Sequence, residues 1–318
     1  MKFYKYQSLS EAEHFEFVKN YISQRVWITP LKNFNDPFEG RFRFVSFTPE
    51  FLLSNSEVFD VILQEHIKIE GPSFTANDLK ERLLSGEFRK ELKKPRVVRD
   101  MLSNHGALCL TASNNNIPMW AYYADNHKGC CIEFELDFSY IKDNAGILDE
   151  QIDEFKNGVL NGTDIISFNL NSELDREFAF VKVGYSDDLP VIEADKAASI
   201  KNSYDQSEYI IRNSVGVKFK QWEHEREYRL VTNSNSESGG LLQLNGYAPF
   251  LRVTGIILGS KIDPINKEII SKLCNKSEIK LYTANCSNEG FDIVVSDGGY
   301  QQPITTEECL ISDIPQVI

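Results

Sequence analysis

The chain has 318 residues, 42% of them apolar and 25% charged, and a formal charge of −13. That length can bury a large core as one large or two ordinary domains, and the apolar and charged fractions are those of a folded protein. The acid excess argues against a sequence-independent grip on nucleic-acid phosphates. No stretch holds the roughly 18 consecutive apolar residues of a membrane span. Six cysteines in such a length, two of them adjacent, do not form a disulfide framework. With no apolar leader after Met1, the expected compartment is the cytoplasm, with reduced thiols.

Phe3–Tyr6 reads as a short strand. Ser10 and Glu13 have capping-box spacing, and Phe15, Val18, Tyr21 and Ile22 recur at helical intervals, so a helix to about Ile22 is expected. Arg25–Thr29 is a strand closed by Pro30, followed by the turn-forming run Asn33–Gly40, in which Asp36 precedes proline and must be extended. That run fits either a site wall or a turn capping the core through Phe34 and Phe38. Between about 48 and 103 the pattern predicts a helical insertion, with helices over Phe51–Ile69 and Asn77–Leu92. The basic run Arg89–Arg99 reads as a solvated helix end more readily than as a phosphate patch.

Ala107–Thr111 is a buried strand, Pro118 opens a short helix, and Gly129 suits a helix C-cap. Cys130–Leu136 alternates, with Cys130, Ile132, Phe134 and Leu136 on one face and Cys131, Glu133 and Glu135 on the other. The acidic segment Asp137–Leu174, rich in Asn, Gly and Ser, reads as a loop-rich excursion. Phe178–Tyr185 is a strand, and Ile192–Asn213 a helix with a break. Val253–Leu258, Asn266–Cys274 and Glu278–Tyr282 make a βαβ-like unit closed by Phe291–Val295. The expected architecture is one α+β domain over 1–297, with a mixed or antiparallel central sheet and helical insertions, then a poorly ordered tail at 298–318.

The densest chemistry lies in Lys218–Val231, which holds Trp222, Glu223, His224, Glu225, Arg226, Glu227 and Arg229. Tyr228–Val231 alternates, so a strand beginning near Glu225 is expected. Residues i and i+2 of a strand share a face, which would set Glu225 and Glu227 side by side. His-Glu-Arg-Glu lacks the second histidine of a zinc-protease motif, no Cys-x-x-Cys pair is present, and no metal site is expected. The same acids and Arg229 also fit a cross-strand salt network on a solvated face.

Four segments stand together: Tyr4-Lys5-Tyr6; Asn35-Asp36-Pro37-Phe38-Glu39; Met119–Ala124 with His127-Lys128-Gly129; and Trp222-x-x-Glu225-x-Glu227-x-Arg229. In order and spacing they resemble a bacterial domain-of-unknown-function family, number 2971, from residue 1 to about 295. The chain is also similar to the ADP-ribosyltransferase superfamily: Lys5 stands at its early basic position, Thr111-Ala112-Ser113 resembles its middle motif and Glu225-Arg226-Glu227 its last. That resemblance implies NAD as a substrate. Glu227 would stabilise the oxocarbenium-like state of nicotinamide–ribose cleavage, and Glu225 would orient an acceptor. Lys5, Tyr6, Ser113, Trp120, Tyr123 and Arg229 would contact the dinucleotide through stacking and charge. It also implies an effector context such as a toxin or phage-defence component, acting on an unidentified macromolecular acceptor. Two other readings stay open: a non-catalytic module binding a small nucleotide or a partner's basic segment, and a metal-dependent nuclease using Asp36, Glu39, Glu225 and Glu227. For the aromatic residues, Trp120 and Tyr123 included, core packing is the plainer alternative.

Overall fold

The computed structural model describes residues 1–34, 36–87, 105–157, 164–170, 176–233 and 240–298. The basic run Arg89–Arg99, the far part of the Asn77–Leu92 helix and almost all of the expected tail lie outside them. In chain order the strands are β1 Lys2–Gln7, β2 Arg25–Pro30, β3 Arg43–Val45, β4 His105–Thr111, β5 Cys130–Leu136, β6 Asp164–Leu170, β7 Arg176–Lys182 and β8 Gly184–Ser186. They continue with β9 Val191–Glu193, β10 Val217–Phe219, β11 Glu227–Asn233, β12 Gly240–Gln243, β13 Leu251–Leu258, β14 Lys280–Cys286 and β15 Ile293–Asp297. Strands pair mostly antiparallel with some parallel pairs, and helices intervene: the class is α+β.

The chain divides into two compact units. The first is built from Met1–Lys5, Ser23–Ser113 and Phe134–Arg252, the second from Tyr6–Ile22, Asn114–Glu133 and Val253 onward. In the first, the strand order is β1-β4-β11-β7-β6, with β2 joined to both β4 and β12. The central ladder is antiparallel: β11 runs against β4 from Glu227 opposite Thr111 to Asn233 opposite His105, and against β7 from Tyr228 opposite Lys182.

Alternation along β11 decides what each face carries. Tyr228 joins a packed aromatic group with Phe3, Phe155 and Phe180, with ring centroids 4.8–6.2 Å apart. Each such ring, once buried, contributes about 1.5–3 kcal/mol. On the opposite face Val231 packs with Leu31, Ala107, Val181, Ile211 and Val215. Glu227 and Arg229 share that second face, so two charged groups are seated beside apolar packing.

The helical insertion is observed as Pro49–Ser54, Ser56–Glu70 and Ala76–Ser85. It fills its own apolar cluster of Leu52, Phe59, Phe74, Leu79 and Leu83. Parallel pairing of β3 with β9 lies beside it, and Thr48 Oγ1 donates to Asp195 at 2.7 Å.

In the second unit β13 and β14 pair in parallel across the Pro264–Cys274 helix, and β15 returns antiparallel on β14. The βαβ-like unit expected from the sequence is therefore present.

Three expectations need correction. The segment after Asp137 is not a loop-rich excursion: it forms helices Phe138–Ala145 and Asp149–Asn157 and then β6, burying Ile141, Ile152 and Phe155. Ser10 does not form a capping box; the helix starts at Ala12, and the Glu11 amide donates to His14 Nδ1 instead. Gly129 does not cap the Ile117–Tyr122 helix, which ends at Tyr123. Three successive left-handed residues, Asp125, Asn126 and His127, carry the chain away from it. Gly129 is required there by close approach, since a Cβ would sit 2.2 Å from the Gln7 carbonyl oxygen.

Candidate functional site

The residues around β11 form a buried ionic cluster within the first unit. Val217–Phe219 is a three-residue strand paired in parallel with β8, setting Lys218 opposite Tyr185. A 3₁₀ turn, Lys220–Glu225, follows, and Arg226 at φ 46° turns the chain into β11. Glu225 thus ends a turn and does not open a strand as expected. The left-handed joint at Arg226 nevertheless brings both acids to one ammonium: Lys218 Nζ donates to Glu225 Oε2 at 2.5 Å and to Glu227 Oε2 at 3.1 Å.

Arg229 closes the other side. Its Nε and Nη2 donate to the two oxygens of Glu227, each at 2.9 Å, a bidentate fork that fixes both groups. Its Nη1 donates to the Val215 carbonyl at 2.5 Å and lies 2.6 Å from Glu39 Oε1. That second contact is an ion pair off the hydrogen-bond axis, because Glu39 Oε1 has no aligned donor. Glu39 Oε2 is 3.9 Å from Lys218. The five side chains are between 0 and 7% exposed. Phe34 lies under the Arg229 guanidinium at 5.3 Å and Trp222 under the Lys218 ammonium at 5.1 Å, both favourable cation–ring contacts. The acids are sealed rather than displayed on a solvated face.

Electrostatics separates the carboxylates. Burial pushes Glu227 up, but Arg229 and Lys218 outweigh it and hold the group down at about 2. Burial also pushes Glu39 up, and there the attraction of Arg229 does not overcome it, with the charge on Glu227 adding to the rise. Lys218, which burial alone would lower, is raised by Glu227 and Glu225. Burial raises the Cys109 thiol, and Glu227 raises it further; Lys5 Nζ donates to the Cys109 carbonyl at 3.4 Å. The Glu227 amide donates to the Tyr185 hydroxyl at 2.8 Å.

Of the residues expected to form a site, Lys5, Ser113, Glu225, Glu227 and Arg229 belong to the first unit. Thr111 pairs with Tyr4 on one side and Glu227 on the other, so the end of β4 lies beside the start of β11 and the middle of β1. Lys5 alternates with Tyr4 and shares the face of Phe3 and Tyr228, opposite that of Glu227. Tyr6, Trp120 and Tyr123 belong to the second unit. Trp120 is 0% exposed: its indole N–H donates to the Asn114 carbonyl, Tyr6 meets its ring edge-on at 5.1 Å and His127 stacks on it. The expected stacking of Trp120 on a ligand is therefore corrected to a core role, its faces being taken by protein.

Sequence reading assigned no part in a NAD site to Glu39, Lys218, Cys109 or Tyr185. A lysine alternating between Val217 and Phe219 at the start of an acid-rich stretch is the signal that pointed to Lys218. Among the described residues no three His, Cys, Asp or Glu side chains are grouped to hold a metal ion, which leaves the nuclease reading without ligand geometry.

Residues 119–230 match the family model described as Protein of unknown function (DUF2971). This stretch is similar to DUF2971. The DUF2971 match spans roughly a third of the chain and takes in the Trp120–Ala124, His127–Gly129 and Trp222–Arg229 motifs, while Lys5 and Glu39 precede it. No curated protein and no solved structure matches the chain.

Proposed function

We propose that the first unit carries out NAD-dependent ADP-ribosyl transfer at the neighbouring strands that hold Lys5, Thr111–Ser113 and Glu227. The observation that supports this reading is the β1-β4-β11 adjacency, by which the strands bearing the three separated motifs of the resemblance are neighbours in one sheet, with Tyr4, Thr111 and Glu227 in register. In this chemistry the nicotinamide–ribose C–N bond breaks with its electron pair leaving on nicotinamide, and an acceptor nucleophile, or water, bonds to the ribose carbon. Glu227, held ionised by its cations, offers negative charge to the oxocarbenium-like state. Glu225 directs the acceptor, and Lys5 supplies positive charge for the pyrophosphate as a point charge without arginine's fork.

The test incubates the purified chain with NAD labelled in nicotinamide, alone and with protein, RNA and DNA acceptors. Nicotinamide release is expected, with a Glu225→Gln variant losing transfer more than hydrolysis. No release under any of these conditions refutes the proposal. A second reading, a non-catalytic nucleotide- or partner-binding module, is favoured by one observation: both Glu227 oxygens are already occupied by Arg229. Binding of NAD without turnover is its expected result.

A further inference from the structure

The His127-Lys128-Gly129 motif has no part in the reaction proposed above, yet it belongs to a heavily constrained loop of the second unit. Asp125, Asn126 and His127 follow one another in the left-handed region, at φ 49°, 53° and 68°. Residues other than glycine enter that region at a cost, and such strain gathers where a ligand is clamped. Backbone contacts hold the loop from two sides. The Asn126 and His127 amides donate to the Ala121 and Trp120 carbonyls. From the loop after β13, the Gly259 amide donates to the Gly129 carbonyl at 2.9 Å and the Lys261 amide to the His127 carbonyl at 3.0 Å. A Cβ on Gly259 would lie 2.2 Å from the His127 carbonyl oxygen, so the two loops meet backbone to backbone. The second loop leaves the C-terminal end of β13 and enters the helix Pro264–Cys274 ahead of parallel β14. Parallel strands of open sheets bind ligands beyond such ends.

The polar side chains at this junction are not spent on one another. His127 lies flat on the buried Trp120, ring planes 9° apart, which fixes its orientation while neither ring nitrogen is hydrogen-bonded among the described residues. The Ser260 hydroxyl is buried and has no hydrogen-bond partner. The exposed Lys261 and Lys128 make no ion pair among the described residues. Asp263, the next acid along the chain, is engaged by the Ile265 amide. We propose that the loops at 125–129 and 259–261 form a binding site for a phosphate group, held by the Lys261 ammonium and the Ser260 hydroxyl and met by an imidazole nitrogen of His127. Lysine supplies a point charge suited to phosphate, and the hydroxyl donates to one of its oxygens. Burial and the charge of Lys261 hold His127 below its ordinary range, so a neutral ring meets the ligand; Asp125 and Lys128 are the other charged groups of its loop. The inference concerns the second unit alone and holds or fails without any ADP-ribosyl turnover.

The test follows the ring resonances of the five histidines by NMR while inorganic phosphate or adenosine monophosphate replaces chloride at constant ionic strength. His127 is assigned by the signal missing from His127→Gln. A saturable shift of that signal is expected, with its titration midpoint raised by the bound anion. Lys261→Met and Ser260→Ala are each expected to weaken binding by roughly tenfold, whereas Lys276→Met, beyond the far end of the helix, leaves it unchanged. Without phosphate, Ser260→Ala is expected to keep or raise Tm, because it removes an unpartnered buried hydroxyl; this separates loss of the site from loss of the fold. Tighter binding of the nucleotide than of phosphate assigns the site to a nucleotide, and equal or weaker binding assigns it to free phosphate; both support it. No saturable shift with either anion, wild-type affinity in Lys261→Met or Ser260→Ala, or an equal loss in Lys276→Met would each overturn the proposal.

Discussion

Replacing Glu227 with glutamine keeps the shape of the side chain and removes its charge, which makes it the sharpest probe of the cluster. The carboxyl is held at about 2 rather than the ordinary 4.5. At about 1.4 kcal/mol per pH unit, its surroundings favour the ionised form by about 3 kcal/mol at neutral pH. The variant leaves Arg229 with Glu39 as its remaining anionic neighbour, a group that burial disposes toward neutrality. It also turns an amide N–H₂ toward Arg229 or Lys218. Removing one member of a buried pair costs about 3–5 kcal/mol in general, so the two routes agree on a loss near 3 kcal/mol. For a folding unit of 150–250 residues this is a fall in Tm of roughly 6–12 °C. The sign of the pH dependence follows from a depressed carboxyl: its stabilisation is present above the ordinary value and disappears as pH falls through about 2. Denaturant melts of both proteins, followed by circular dichroism at steps from pH 7 to 2, should show a gap that is full at neutrality and closes in acid. Equal stability at pH 7, or a gap that persists at pH 2, would refute the account of the cluster as ionised and mutually stabilised. It also follows that loss of NAD chemistry in this variant has meaning only where the melts show it folded.

Lys218→Met strips Glu225 and Glu227 of their shared ammonium; a loss of about 3–5 kcal/mol is expected, read as a lower denaturation midpoint, and smaller in acid where the carboxyls are neutral. Arg226→Gly removes a side chain from a left-handed position and should leave stability unchanged or raise it by up to about 1 kcal/mol, whereas Arg226→Val should lower it by about 1–3 kcal/mol; calorimetry of the pair checks the order. Gly106→Ala would place a Cβ 2.7 Å from Ile28 Cγ2 and 2.9 Å from the Thr29 carbonyl oxygen, so a loss of about 1–3 kcal/mol from overpacking between β2 and β4 is expected, and an unchanged Tm would contradict the close approach described.

Local pattern carried much of the fold. The alternation in Cys130–Leu136 set that strand's limits, and it reached both faces because Cys131 and Glu133 are buried as well as Cys130 and Ile132. The 48–103 insertion was legible from helical spacing in the part that is described. Composition misled after Asp137, where polar residues on the outer faces of two short helices hid the inward spacing of Ile152 and Phe155. The candidate site was half legible. Acids and cations close together in sequence marked 218–231, but strand geometry was the wrong route to their meeting, which depends on a left-handed residue that no side-chain pattern announces. Glu39 was singled out through its motif and the nuclease reading, but its pairing with Arg229 and Lys218 was not, because those partners are set by packing between distant segments. Trp120 shows the converse: a motif aromatic can be a keystone of packing rather than a contact for a ligand.

The helices at 49–85 gather a nucleus of their own, Leu52, Phe59, Phe74, Leu79 and Leu83. Drift in the length or make-up of that arm can then be absorbed within it, without retuning the ions beneath β11. A fluorophore or affinity handle grafted at its outward-facing Val61 or Ile69 would report on the molecule while leaving the charged centre untouched.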